Sequence, residues 1–443
     1  MLSLLKRVAV DLTPMREVRD FRLLVGGEVL SGLGTQMTLV ALPFQIYIIS
    51  RSPALVGLLG AFELGPMIVI ALVGGAFADR YDRRLVLRAA QIGVIVTVGA
   101  ICALSFADSR PPVLAILVLG GLLGGWTGLD GVARSSIVPA MLGPDLMREG
   151  IAFNYGVWQA VSIIGPGVGG LLIAQLGVAG IYAANLGLTA LMLFVAFMIG
   201  PQRPAASRGV TLPPVREAVA EGLRFVGSDR ALAGSFLIDI NAMMFGMPRA
   251  LFAVLSLTVY HAGARGTGLL YAAIAVGGTI AAFTSGWAAR TRRIGLIVVG
   301  CVLIWGAAIL GAGLVRTIAP AAILLAVAGW ADSISAVCRQ GIAQTLTPDR
   351  MRGRLGSVFS VVVAGGPRLG DIESGLVAGA AGALNSVVIG GAACIVGVGA
   401  VVLACPQLLA FDAEQALART SAIDAADLAA AHLRAERVTA AGG

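Results

Sequence analysis

The residues of this chain best placed to do chemistry are carboxylates inside apolar runs. Glu28, Glu63, Asp239, Asp332, Asp371 and Glu373 all stand in long hydrophobic stretches, as do Arg134, Arg249 and Arg368. A carboxylate away from water is costly as a bare charge, so it takes a proton, a cation or an arginine. Its proton affinity changes as water reaches it or leaves it, which is the chemistry of proton coupling and of binding cationic groups. The alternative for each is a buried structural hydrogen bond. Asp130 and Arg134 are four residues apart on one helical face and read as a self-neutralising pair. Asn154, Trp158 and Gln159 partly share a face and offer a stacking surface and amide hydrogen bonds, or simple packing. Arg249 and Asp332 are further cavity candidates. Enzyme chemistry is not expected. The only histidines, His261 and His432, are far apart in sequence, and the cysteines form no CxxC, so neither a metal site nor another cofactor is foreseen. No P-loop is present to drive transport with nucleotide.

These residues sit in elements that composition defines. Of 443 residues, 58% are hydrophobic and 13% charged, with mean hydropathy +0.90, whereas a soluble domain carries roughly 25% charged residues. A membrane-crossing helix takes about 20 apolar residues. Twelve runs of that kind are read at 21–49, 54–77, 85–107, 112–138, 151–174, 178–200, 231–259, 266–289, 294–315, 319–345, 355–380 and 383–408. They predict an all-α membrane protein, and its 60 glycines suit helices that pack closely in lipid. Arginines gather before run 1 and in the even-numbered connections, as at Arg80, Arg83, Arg84, Arg88, Arg203, Arg208, Arg290, Arg292, Arg293, Arg350, Arg352 and Arg354. Positive residues stay inside, so both termini are expected in the cytoplasm. The net charge of +8 is this topology signal and not a nucleic-acid footprint. Residues 1–20 show no cleavable signal pattern, so run 1 is expected to act as its own insertion signal.

The runs form two matching sets of six, separated by the polar, proline-bearing segment 201–230. Gly57-Leu58-Leu59 lies 18 residues before Gly75, and Gly268-Leu269-Leu270 lies 18 before Gly286, an offset of 211 in both cases. The same offset carries Glu28 in run 1 to Asp239 in run 7. Two acids at equivalent places point to a shared cavity. The predicted organisation is an N-terminal six-helix bundle at 1–200, a cytoplasmic linker at 201–230, a C-terminal six-helix bundle at 231–408 and a cytoplasmic tail at 409–443. Breaks fall beside several of the acids. Glu63 precedes Gly65-Pro66, and Gly365-Gly366-Pro367 precedes Arg368, Asp371 and Glu373. Broken helices at membrane depth line cavities. Arg368 and Asp371, three apart, are expected to pair, leaving Glu373 to find its own partner or water.

Two motifs go further. Gly75-Ala-Phe-Ala-Asp79-Arg80-Tyr-Asp82-Arg83-Arg84 is a charged turn between two apolar runs. It resembles the loop between helices 2 and 3 of major facilitator superfamily transporters. Gly156, Gly165, Pro166, Gly169 and Gly170 in run 5 resemble the antiporter signature of that superfamily, a glycine-lined bend able to close one side of a pathway. Phe21-Arg22-Leu23-Leu24, Ser31-Gly32-Leu33-Gly34, Val40-Ala41-Leu42-Pro43, Arg51-Ser52-Pro53 and Met351-Arg352-Gly353-Arg354 are similar to the enterobactin-exporter and macrolide-efflux branch, over about 18–408. The resemblance implies a monomeric, proton-coupled exporter of amphipathic small molecules, a siderophore or an antibiotic, working by alternating access in the bacterial inner membrane. A lipid or lysolipid transporter on the same fold is the alternative, and a non-transporting sensor or scaffold the remoter one. Small-molecule substrate, protons and membrane lipids are the expected partners, and nucleic acid is not among them. The resemblance also places runs 1 and 7 along the central cavity, sets Asp79 against the start of run 11 as a gate, and likens Arg134 loosely to a proton-transfer arginine of drug antiporters.

Overall fold

The computed structural model describes residues 12–143, 145–202, 215–348, 351–418 and 420. Each expected run falls on helix, and no strand occurs among the described residues. Span 1 is Arg19–Ser50, span 2 Pro53–Arg80, span 3 Arg83–Ala107 and span 4 Val113–Met141. Spans 5 and 6 lie within Met147–Met198, two helices joined at a kink where Gly177 leaves helical backbone space. Span 7 combines Arg230–Phe245, the 3-10 turn Arg249–Leu251 and Phe252–Thr258. Span 8 is Gly263–Thr284, span 9 Ile294–Leu314, span 10 Ile318–Leu346, span 11 Arg352–Ala381 and span 12 Ala383–Ala404. Loop residues 81–82, 142–143, 145–146, 199–202, 291–293 and 347–348 gather at one end, here the basic end. Those at 51–52, 108–112, 259–262, 315–317 and 382 gather at the far end.

Ten of the helices are long and apolar enough to cross a membrane. Two features account for the remaining crossings. Glu149–Met198 is counted once although it folds back at Gly177, and span 11 is long enough but diluted by Arg354, Arg368, Asp371 and Glu373. Gly177 has φ +70° and ψ 177°, a region of backbone space that is essentially glycine-only. Gly177→Ala is therefore expected to cost about 1–3 kcal/mol. That should appear as a lower unfolding temperature of the purified protein, with transport of the surviving fraction little changed.

Two further spans depart from plain helix. Span 7 breaks at 246–248, where Pro248 supplies no N–H and restricts the residue before it. Run 8 was expected to be regular to 289, but its α-helix ends at Thr284 and continues as a 3-10 helix from Ser285 to Arg290. Large apolar side chains such as Val96, Phe106, Phe283 and Leu403 point outward, exposed. Such a surface is stable only against lipid.

Within the bundle, small polar groups cross between spans. Asn185 donates to Thr38 at 2.8 Å and accepts from Thr189 at 3.0 Å, while Gln45 donates to Ser105 at 2.8 Å and accepts from the Tyr182 hydroxyl at 2.7 Å. Satisfied pairs of this kind fix helix rotation where lipid gives no hydrophobic drive for helices to associate. The amphipathic helix Val215–Ser228 packs Val226 against Leu232, Phe236, Leu355 and Val358 of spans 7 and 11.

Candidate functional site

Glu28 and Asp239 each stand nine residues into their helices, which begin at Arg19 and Arg230. At 1.5 Å per residue that is a depth of roughly 13 Å. Both are buried, with 5% and 3% of their surface exposed, and each meets an arginine from another span.

In the first six spans that arginine is Arg134 on span 4. Its Nε donates to Asp130 Oδ2 at 2.7 Å and its Nη2 to Ser31 Oγ at 2.8 Å, while Nη1 stands 3.9 Å from Glu28 Oε2. Gln91 on span 3 donates to the other Asp130 oxygen at 2.7 Å. The expected Asp130–Arg134 pair is present, but it belongs to a larger unit of two carboxylates around one guanidinium. This unit borders a cavity of about 440 Å³ between spans 1, 4 and 5, walled by Ile151, Tyr155 and Trp158.

In the second six spans the arginine is Arg339 on span 10. Its Nη2 lies 2.7 Å from Asp239 Oδ1 and 3.9 Å from Asp332 Oδ1, and its Nη1 donates to Ser335 Oγ at 2.8 Å. Both halves thus hold an acid from their first span, an arginine from their fourth and a second acid from that fourth span. Asp239 and Arg339 border a narrow crevice with Ser235, Phe236, Ala343 and Phe359 rather than the larger cavity. Arg339 escaped the reading of the sequence. Arg134 and Arg339 are 205 residues apart, as are Gly170 and Gly375, whereas the earlier part of the repeat is offset by 211. The shorter offset, sought over runs 4 and 10, is the signal that would have found it.

The halves meet most closely near the far end, backbone to backbone. A Cβ added at Gly57 would lie 2.5 Å from the Asp371 carbonyl oxygen and 2.7 Å from Gly375 Cα. One added at Gly170 would lie 2.6 Å from the Ala264 carbonyl oxygen and 2.8 Å from Gly268 Cα. Only glycine permits such an approach. A charged cluster lies beside the first contact. Glu63 Oε2 of span 2 is 3.3 Å from Arg368 Nε of span 11, so this ion pair bridges the halves. Asp371 accepts from the Ala250 N–H at 3.1 Å and from Arg249 Nη2 at 3.4 Å, and the Tyr271 hydroxyl donates to the Arg249 carbonyl at 3.0 Å. Arg368 and Asp371, expected to pair along the helix, each have a partner on another span, Glu63 for Arg368 and Arg249 for Asp371. Helical spacing makes a contact available, and the break in span 7 brings Arg249 closer to Asp371.

The remaining candidates divide. Asn154 and Trp158 border the larger cavity. Gln159 lies against Gly278 of span 8, across the halves. Gly165 and Gly169 pack on Gln36 and Met37 of span 1, and the Pro166 carbonyl faces Gly268. A Cβ at Gly156 would meet nothing within 4 Å. Glu373 has no ion-pair partner among the described residues. Asp82 caps span 3, accepting from the Arg84 and Gln202 N–H groups at 3.1 Å, with Arg84 Nε at 3.0 Å, and the Arg83 N–H donates to the Gln202 carbonyl at 3.2 Å. The side chains of Asp79 and Arg80, and the surroundings of Gly75 and of 203–214, lie outside the described residues.

A family model described as transmembrane secretion effector matches residues 9–437, almost the whole chain. The protein belongs to the transmembrane secretion effector family. Relatives of this secretion effector include the enterobactin exporter EntS of Shigella boydii serotype 4, 31% identical over 337 residues that cover 75% of this chain and 78% of that one. EntS of Salmonella choleraesuis is 30% identical over 75% and 79%. Among solved structures, nucleoside transporter NupG superposes with TM-score 0.71 at 12% identity, over 87% of this chain and 100% of that one. A bacterial homologue of the iron transporter ferroportin in its inward-facing state gives 0.65 at 15%, over 87% and 98%. A bacterial homologue of the human lysosomal transporter Spinster, inward-facing and unoccupied, gives 0.67 at 15%, over 90% and 97%. At these identities the likeness is one of fold, that of the major facilitator superfamily. This secretion effector is a multi-pass membrane transporter and not an enzyme.

Proposed function

We propose that this secretion effector is a secondary active exporter of the bacterial inner membrane, with its basic end and both termini in the cytoplasm. It moves an amphipathic small molecule outward in exchange for protons, by alternating access between its two sets of six spans. The observation that carries this reading is the pair of acid–arginine–acid triads, one in each half, at matched depth. Each triad sets two carboxylates around one arginine, an excess of acid that a neutral structural pair does not need. The relatives named as enterobactin exporters support outward movement and place siderophores first among the substrates to try. The glycine contacts near the far end read as the closed side of an inward-facing arrangement, with Glu63–Arg368 as its ionic latch. Glu28 is the first candidate for the coupling proton and Asp239 the second. Asp79, at the end of span 2, is proposed as a gating residue of the opposite closure.

Proton movement in proteoliposomes tests the proposal. With an imposed pH gradient and an internal pH dye, a panel of siderophores, antibiotics and lysolipids is added one by one. An exporter of this kind releases protons inward with at least one siderophore or antibiotic. Response to lysolipid alone would make the protein a lipid transporter, and uptake of substrate with no proton flux would remove the antiport.

A further inference from the structure

The cavity beside Glu28 has a charge and a shape that select among substrates, and we infer that it takes an amphipathic organic cation: an amine, amidinium or onium group carried on an apolar, aromatic body. This rests on the export reading and narrows it.

The first observation is the balance of charge at the cavity floor. Glu28 and Asp130 contribute two carboxylates, and Arg134 the only guanidinium among the described side chains lining the cavity. Arg134 is already engaged: Nε is held by Asp130 and Nη2 by Ser31, leaving Nη1 directed toward Glu28. Asp130 is engaged as well, by Arg134 and by Gln91. The second observation is independent of the count. Glu28 is 95% buried, yet its Oε2 accepts no hydrogen bond, and the buried Oδ1 of Asn154, also at the cavity, accepts none either. Buried acceptors without donors are costly, so a ligand that brings hydrogen-bond donors is favoured here over one that brings acceptors. An anion would find a single guanidinium nitrogen, Nη1, and would have to displace Glu28 to use it.

The third observation is the wall. Ile151, Tyr155 and Trp158 stand one helical turn apart on one face of span 5, line the cavity, and keep 47%, 68% and 43% of their surface exposed. Indole and phenol faces attract cations as well as apolar surface. A volume of about 440 Å³ is in the usual range for a small-molecule site. An ammonium at Glu28 and Asn154 with its apolar body against span 5 satisfies both orphaned acceptors and covers the wall.

Two ions of nearly equal size and opposite charge test this directly. Equilibrium binding of tetraphenylphosphonium and of tetraphenylborate is measured on the purified, detergent-solubilised protein. The wild type is expected to favour the cation by about tenfold or more, the factor carried by one modest charge interaction. Glu28→Gln should remove most of that preference by weakening the cation alone, and Trp158→Ala should weaken both ions by a similar factor. Should Glu28→Gln not yield a monodisperse protein, Asp130→Asn carries the same expectation. Equal affinity, preference for the borate, or no binding of either ion overturns the inference. Cation preference without gradient-driven export in proteoliposomes would leave the site standing and defeat the export reading. Export without cation preference would do the reverse.

Discussion

Glu28→Gln is expected to abolish export driven by a pH gradient, lowering the initial rate by about a hundredfold or more, within the range lost when a positioned proton-transfer group is removed. Glutamine keeps the shape and hydrogen-bonding reach of the side chain but cannot carry the proton. Arg134 remains bonded to Asp130 and Ser31, so the helices stay in place and the loss is one of coupling. Downhill substrate movement should persist. Arg134→Met gives the contrasting result. It leaves Glu28 and Asp130 without a cation, and breaking a buried ion pair from one side costs about 3–5 kcal/mol. The measurement is a pair: dye-reported proton flux, and the thermal unfolding midpoint of the same preparation. A Glu28→Gln protein that still exports at full rate would move the coupling role to Asp239, and full export by Asp239→Asn as well would move it to Glu63 or Glu373.

The second large effect lies at the far-end contact. Gly57→Val would place branched carbons where the Asp371 carbonyl and Gly375 Cα already lie within 2.7 Å of a bare Cβ. Backbone cannot yield there as a flexible side chain would. Export is expected to fall more than tenfold, the effect of losing roughly 1.4 kcal/mol or more from one state of the cycle. The halves should also separate at that end, seen as a longer distance between spin labels placed on loops 51–52 and 382. Gly156→Val is the internal control, because a Cβ at Gly156 meets nothing within 4 Å. Equal loss in both variants would mean that glycine serves these spans in some way other than closing the far end.

Apolarity made the spans legible, since a continuous run of about 20 apolar residues has few other fates. The matched acids were legible for the same reason: a carboxylate in such a run is conspicuous. Their partners were harder to see. Arg339 stands six residues out of register with the offset that links Glu28 to Asp239, so the comparison that finds one pair passes over the other. Arg368 was foreseen in contact with Asp371 because helical spacing is the one distance a sequence supplies. Its reach to Glu63 depends on how two halves of the chain meet, and the Asp371–Arg249 contact depends on a proline break four spans earlier in the chain. Ser31 as a ligand of Arg134 carried no signal at all, because serine is common in packed membrane helices.

The glycine contacts also bear on the protein's ancestry. Gly57 of span 2 meets Gly375 of span 11, and Gly268 of span 8 meets Gly170 of span 5. Under the internal repeat these are one contact written twice, in which patch A of one copy touches patch B of the other and the reverse. That reciprocity defines the isologous interface of a twofold homodimer. The far-end seal therefore has the form of a dimer interface folded into a single polypeptide. Its two contacts, free of the identity a true homodimer imposes, have since been able to diverge, and among the described residues it is the first that has a part-buried ion pair between the halves beside it.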